Sequence, residues 1–242
     1  MAEKTYKKKQ LVEYAFCDHR GEARLSYLLA MAQQISMEHC DSAGVGGSFF
    51  YDRGAVFLLA KLRLDIPRTP KGGELLELHT RPNLPVRAQY RRCTSFSTQD
   101  GELLCDMDSR WVLVDIESRR VLRRLPEGVE LPFLDAEEIS DFRPFFPKEF
   151  TLREKLTVRY SMLDVNNHMN NTVYGDIVAN LLEHRLLGEE RLRSVEIFYH
   201  REALPGDVLT LWSCEEENRF FIRATVGETV CFEASGTLEK VL

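Results

Sequence analysis

No apolar run in the sequence approaches the roughly 20 residues that a membrane-spanning helix requires, so no membrane partner is expected. Positive charge is not in excess either. Thirty-eight acidic residues against 32 basic ones give a formal charge of −6, which argues against a general nucleic-acid binder, and no basic helix-turn-helix pattern is visible. The Lys-rich start, residues 1–10, has no apolar segment behind it, which argues against a secretory signal. Cys17, Cys40, Cys93, Cys105, Cys214 and Cys231 include no CxxC pair and no partnering histidine cluster. That pattern argues against a zinc site or a disulfide frame and points to reduced thiols in a cytoplasmic protein without metal or cofactor.

What is present is a globular composition. An apolar share of 44% with 29% charge over 242 residues supports a sizeable core in one large domain or two ordinary ones. A strand-like run over 10–16 precedes a polar break, Cys17-Asp18-His19-Arg20-Gly21-Glu22. Leu28, Met31, Ala32 and Ile35 then recur at helical spacing and predict a helix over 25–40. A Gly-rich loop over 41–54 carries Phe49, Phe50 and Tyr51. Strands are expected at 55–66, 74–82, 87–99, 103–115 and 120–122, with hairpin turns at Asp100-Gly101 and around Glu117-Ser118. Pro126, Pro132, Pro144 and Pro147, with the acidic patch 135–138, read as an extended surface linker.

The second half replays the first: a strand over 156–162, a polar break over 164–171, a helix over 172–187, then strands at 194–201, 207–214, 220–226 and 229–239. Asp18 falls where Asp164 does, and Gly73-Glu74 matches Gly206-Asp207. One strand, one long helix and four strands with hairpin signals is the order of a hotdog unit, an antiparallel sheet wrapped around a helix. The expected fold class is α+β, a double hotdog, with units over 1–130 and 151–242 joined by a linker over 131–150.

The stretch from Met162 to Tyr174, Met-Leu-Asp-Val-Asn-Asn-His-Met-Asn-Asn-Thr-Val-Tyr, concentrates the chemistry. Asp164, Asn166 and His168 stand at i, i+2 and i+4, in a segment too Asn-rich for a helix interior. Asn170 or Asn171 is the expected helix cap. A helix N-terminus offers unpaired N–H groups and partial positive charge, suited to an oxyanion or a polarised carbonyl. Two readings follow from these residues alone. Asn and Asp cap and turn the chain around a hydrogen-bonded histidine, or a carboxylate, an amide and an imidazole form an active site.

The run Asp164-Val165-Asn166-Asn167-His168-Met169-Asn170-Asn171 resembles the Asp-x-Asn-x-His-x-Asn-Asn signature of the acyl-ACP thioesterases of plant plastids and bacteria. Ser109-Arg110-Trp111-Val112-Leu113 with Ser118-Arg119-Arg120, Ala60-Lys61-Leu62-Arg63-Leu64, and Phe198-Tyr199-His200-Arg201-Glu202 resemble further segments of that family, in the same order. The resemblance implies hydrolysis of a fatty acyl thioester of acyl carrier protein by a double hotdog. It carries the family's catalytic Asp, Asn, His and Glu onto Asp164, Asn166, His168 and Glu202. Plant members often have Cys directly after that Glu. Here the position is Ala203, so a thiol nucleophile at that position is impossible and water must attack directly.

On this reading Glu202 near His168 is the general base, with backbone N–H groups around Asn170 and Asn171 as oxyanion donors. The first half has Asp18, Arg20 and Glu22 at the motif spacing and Arg68-Thr69-Pro70 near the Glu202 equivalent, so one active site per chain is expected. The apolar helix face (Leu28, Met31, Ile35) with Val56, Phe57 and Leu59 is a candidate acyl-chain wall or ordinary core. The acidic carrier needs a local basic patch, and Arg119, Arg120, Arg123 and Arg124 are the first candidate. Lys7, Lys8 and Lys9, on a mobile tip, are the second; pairing of the arginines with Glu117 and Glu127 would remove the first. A monomer or homodimer is expected. An acyl-CoA thioesterase or dehydratase of the same fold, or a non-enzymatic acyl-binding hotdog, remain the alternatives.

Overall fold

The structure is a computed structural model that describes residues 3–131, 142–143, 146–147 and 149–241. The chain divides into two compact units, one of Met1–Ala23, Ala30–Leu62 and Pro67–Asp141, the other of Arg24–Leu29, Arg63–Ile66 and Phe142–Leu242. The acidic patch 135–138, Pro132 and Pro144 lie outside the described residues.

In the first unit the strands are β1 (Tyr6–Leu11), β2 (Ala55–Asp65, whose last residues count with the second unit), β3 (Leu75–Pro82), β4 (Gln89–Thr98) and β5 (Leu103–Asp115). They are ordered β1-β3-β4-β5-β2, and the β1–β3, β3–β4 and β4–β5 pairings are antiparallel. The helix α1 (Leu25–Ser42) begins at the expected residue. Its Met31, Ala32 and Ile35 are buried, as helical spacing requires of one face. The aromatic loop has a use: Phe50 and Phe57, with Trp111, Leu122 and Leu125, pack on buried Ala55, Tyr90 and Leu113.

Two expectations about the N-terminus need correction. The strand starts at Tyr6, not at residue 10, and Tyr14–Phe16 is a single 3-10 turn. The Lys run is therefore no mobile tip. Lys7 and Lys9 flank Lys8 on a strand paired with β3, Lys7 Nζ lies 2.9 Å from Glu77 and Lys8 Nζ 2.7 Å from Glu38. Lysine suits this place because β1 ends the strand order, and charged side chains protect a sheet edge from further pairing. The short strand expected over 120–122 reduces to one bridge, Val114 to Val121.

The second unit contains β6 (Thr151–Thr157), α2 (Val173–Leu181), α3 (Glu183–Leu186), β7 (Glu190–Tyr199), β8 (Val208–Glu215), β9 (Arg219–Val226) and β10 (Thr229–Lys240). The order is β7-β10-β9-β8-β6, antiparallel throughout. The strand expected over 156–162 lies earlier, and Tyr160–Met162 is again a 3-10 turn.

Neighbouring residues of a strand face opposite sides. Tyr199 accordingly meets Tyr174 of α2 edge-on at 5.2 Å, while Phe198 meets Phe142 at 5.9 Å and Phe146 at 6.1 Å. The described part of the expected surface linker thus inserts aromatic rings against the sheet face opposite α2. Ile177, Val178 and Leu181 of α2 are buried, each worth roughly 1.5–3 kcal/mol against exposure. Gly175 lets the helix approach the chain closely, since a Cβ there would sit 2.9 Å from the Ser26 nitrogen.

Candidate active site

Asp164 builds the turn that carries the motif. Its Oδ1 accepts the N–H of Asn166 at 2.8 Å and of His168 at 3.3 Å, while its own N–H donates to the His168 carbonyl at 2.8 Å. Asn167 takes φ +62°, a left-handed conformation that Asn tolerates better than most residues. A bridge from Leu163 to Met169 closes the base. The preference of Asp and Asn for turns thus accounts for the local fold, and it leaves the side chains of Asn166 and His168 outside the turn's own hydrogen bonds.

The first unit repeats this turn bond for bond. Asp18 Oδ1 accepts the N–H of Arg20 at 2.8 Å and of Glu22 at 3.0 Å, and Gly21, at φ +73°, stands where Asn167 does. The register puts Arg20 on Asn166, Glu22 on His168 and Thr69 on Glu202. Burial, then the Asp18 charge, raises the Glu22 carboxyl above 4.5. The turn persists there with Glu22 at the position of His168, His19 out of that register, and Thr69 at the position of Glu202, so it serves the fold in both halves and carries the motif's side chains in one.

In the second unit Glu202 arrives from the end of β7. The N–H groups of His200 and Arg201 both donate to the Cys231 carbonyl, at 2.9 and 3.1 Å, where β10 has a register shift between Val230 and Phe232. The chain leaves the sheet there, and Met169 N–H donates to the Ala203 carbonyl at 2.9 Å. This brings His168 Nε2 to 3.4 Å from Glu202 Oε2. The two side chains are 25% and 30% exposed, so water reaches them. Catalytic pairs are often this long before substrate binds. Asp164 Oδ1 is engaged by two backbone N–H groups. Asn166 is exposed, and its amide has no hydrogen bond to any described residue.

The helix head differs from expectation by one or two residues. Thr172 holds the cap position, and Asn170 Oδ1 accepts its N–H and hydroxyl, each at 3.0 Å. Of the two expected oxyanion donors, Asn170 needs correction: its N–H already donates to the Met162 carbonyl at 2.8 Å. The Asn171 N–H has no acceptor among the described residues.

All six cysteines are free thiols. Cys231 is buried, and burial raises its pKa, which keeps a thiol protonated and a poor nucleophile. Cys214 is half-buried. The four arginines of 119–124 lie in the first unit, all exposed. Asp115 shapes their turn by accepting the Ser118 N–H and hydroxyl, both at 2.7 Å. Arg120, Arg123 and Arg124 make no ion pair with a described residue, and neither do Glu117 and Glu127. Met31 and Ile35 are buried, and Leu28, which counts with the second unit, is buried too; Val56, Phe57 and Leu59 are half-buried.

The family model of the acyl-ACP thioesterase N-terminal domain matches residues 3–131, and that of the C-terminal domain matches residues 147–231. The chloroplastic acyl-[acyl-carrier-protein] hydrolase FATB2 of Cuphea viscosissima is 28% identical over 204 residues, 77% of this chain and 49% of that protein. The palmitoyl-acyl carrier protein thioesterase of Gossypium hirsutum is 24% identical over 226 residues, 86% of this chain and 54% of that protein. The chain spans about half the length of the curated relatives it matches. Among solved structures, an acyl-ACP thioesterase from Bacteroides thetaiotaomicron superposes with a TM-score of 0.87 at 21% identity, covering 98% of both chains. A 12:0-ACP thioesterase from Umbellularia californica gives 0.86 at 17% identity, covering 100% of this chain and 96% of the other. The fold is the double hotdog, and the chain belongs to the acyl-ACP thioesterase family.

Proposed function

We propose that this chain hydrolyses the thioester of a fatty acyl group on acyl carrier protein, releasing free acid and carrier thiol, with one active site formed by Asp164, Asn166, His168 and Glu202. The observation that carries the reading is the His168–Glu202 contact of 3.4 Å in a water-accessible turn, beside a helix head and with Ala203 where a thiol would stand. Membership in the family agrees with it.

A thioester carbonyl has weak resonance, so one activated water with oxyanion stabilisation suffices. Glu202 takes a proton from water as the oxygen bonds to the carbonyl carbon. His168 holds the carboxylate and the water in line, a contribution typically on the order of 10²–10⁴ for the base. The free Asn171 N–H and the Asn166 amide meet the developing oxyanion. Collapse of the tetrahedral intermediate breaks the C–S bond, and the proton on Glu202 passes to the departing thiolate. Asp164 holds the turn through Oδ1, which accepts two N–H groups, and Glu202, the carboxylate that faces His168, is the proton acceptor in this proposal.

Arg119, Arg120, Arg123 and Arg124 attract the acidic carrier. Local attraction of this kind acts within about 8 Å at physiological salt. A cytoplasmic setting is part of the proposal, supported by the six free thiols. The test is a hydrolysis panel over carrier-bound acyl chains of varied length, with the CoA thioester of palmitate beside its carrier-bound form. Preference for the carrier-bound form is the expected result. Equal or better use of the CoA form would make this an acyl-CoA thioesterase, and no hydrolysis of either would leave an acyl-binding protein.

A further inference from the structure

Two tethers join the motif turn to the strand end that carries Glu202. One is the bond from Met169 N–H to the Ala203 carbonyl; its counterpart in the first half, Ala23 N–H to the Pro70 carbonyl at 2.8 Å, shows that it belongs to the fold. The other is made by a side chain. Tyr199, the last residue of β7, donates its hydroxyl to the Asn171 carbonyl at 3.1 Å. The register of the two halves places Ile66 on Tyr199 and Leu25 on Asn171, so the first half has no hydroxyl to make this bond. The second tether occurs only where the motif side chains are kept.

The Tyr199 ring has little freedom. Tyr174, itself edge-on to Phe232 at 4.6 Å, packs against it edge-on at 5.2 Å. Burial, then Tyr174, raises the Tyr199 phenol well above its ordinary pKa, so the hydroxyl stays protonated and remains a donor. Asn171 is thus held at its carbonyl, while its N–H has no acceptor among the described residues.

We propose that Tyr199 is a positioning residue for thioester hydrolysis: its hydroxyl fixes Asn171 so that the Asn171 N–H and the neighbouring His168 stay in register with Glu202. The proposal rests on the function proposed above. Tyr199 touches no reacting atom, and its effect passes through Asn171.

Tyr199→Phe keeps the ring and its packing and removes only the donor. It should lower kcat about tenfold or more, because small misplacements of an oxyanion donor are costly in rate, and leave KM for an acyl thioester within about twofold. Amide resonances of Asn171 and Thr172 should shift and exchange faster with solvent, while those of the β7–β10 ladder stay in place. Unchanged kcat would overturn the proposal. So would a loss of kcat with undisturbed Asn171 and Thr172 resonances, or one matched by general loss of folded protein. A parental chain that hydrolyses no acyl thioester would refute the proposed function; the amide measurement would then still report whether the tether exists, and its absence would refute the tether separately.

Discussion

Replacing Asp164 separates two roles that a motif aspartate plays in a hydrolase. Asp164 Oδ1, on a half-buried residue at the start of an otherwise exposed turn, accepts N–H groups from Asn166 at 2.8 Å and His168 at 3.3 Å. Hydrogen bonds to a charged partner contribute roughly 1.5–3 kcal/mol each, and the longer one belongs at the low end, so alanine removes about 3 kcal/mol of local order. At about 1.4 kcal/mol per tenfold in rate, that corresponds to about a hundredfold loss of kcat if the order is needed in the transition state. Asparagine keeps an oxygen acceptor in the same place and loses only the charge. Neutral bonds retain roughly 0.5–1.5 kcal/mol each, which leaves a loss of about tenfold. Steady-state hydrolysis by Asp164→Asn and Asp164→Ala, with melting curves for both, reads this out. A well-folded asparagine variant as dead as the alanine variant would make Asp164 the proton acceptor and refute the argument from turn geometry.

Reversing Arg123 and Arg124 to Glu should raise KM for the carrier-bound substrate severalfold and leave a small acyl thioester unaffected, because both guanidinium groups are exposed without an ion pair to a described residue. Equal losses on both substrates would mark misfolding, and no loss would put the carrier elsewhere. Glu233 predicts a pH effect. Burial opposes its ionisation, but His200 at 3.0 Å and Arg223 at 2.8 Å outweigh burial and bring its pKa below 4.5. A carboxyl lowered in the folded state stabilises above its unfolded pKa and loses that contribution as pH falls through the folded value. The parental chain should therefore lose stability below about pH 4.5, and Glu233→Gln should show a shallower acid limb in denaturant titrations; identical limbs would contradict the assignment.

The turn was legible because its chemistry is local. Asp164 bonds N–H groups two and four residues away, and Asn167 takes the left-handed position, so spacing alone implied a structured polar loop. Helix α1 and β5 were legible from periodicity over more than ten residues. The start of β1 was not, since three consecutive lysines read as a solvated tip until Glu77 and Glu38 stand opposite two of them. The engagement of the Asn170 N–H by the Met162 carbonyl and the reach of Tyr199 to Asn171 were hidden for a related reason. Each depends on how segments meet in space, and for Tyr199 the partner lies 28 residues away in sequence. The ring contacts of Phe142 and Phe146 are of the same kind, since a Pro-rich stretch gives no periodicity from which to read a buried face.

The central claim is that Glu202, beside His168, activates water at a site with no thiol. The direct measurement is kcat of Glu202→Gln on a carrier-bound acyl thioester, with folding verified by circular dichroism and with Cys231→Ser alongside. Glutamine preserves shape and cannot take a proton, so turnover should fall by about a hundredfold or more, while the serine variant stays near parental. A Glu202→Gln enzyme with near-parental turnover, or an inactive but well-folded Cys231→Ser, would contradict the account.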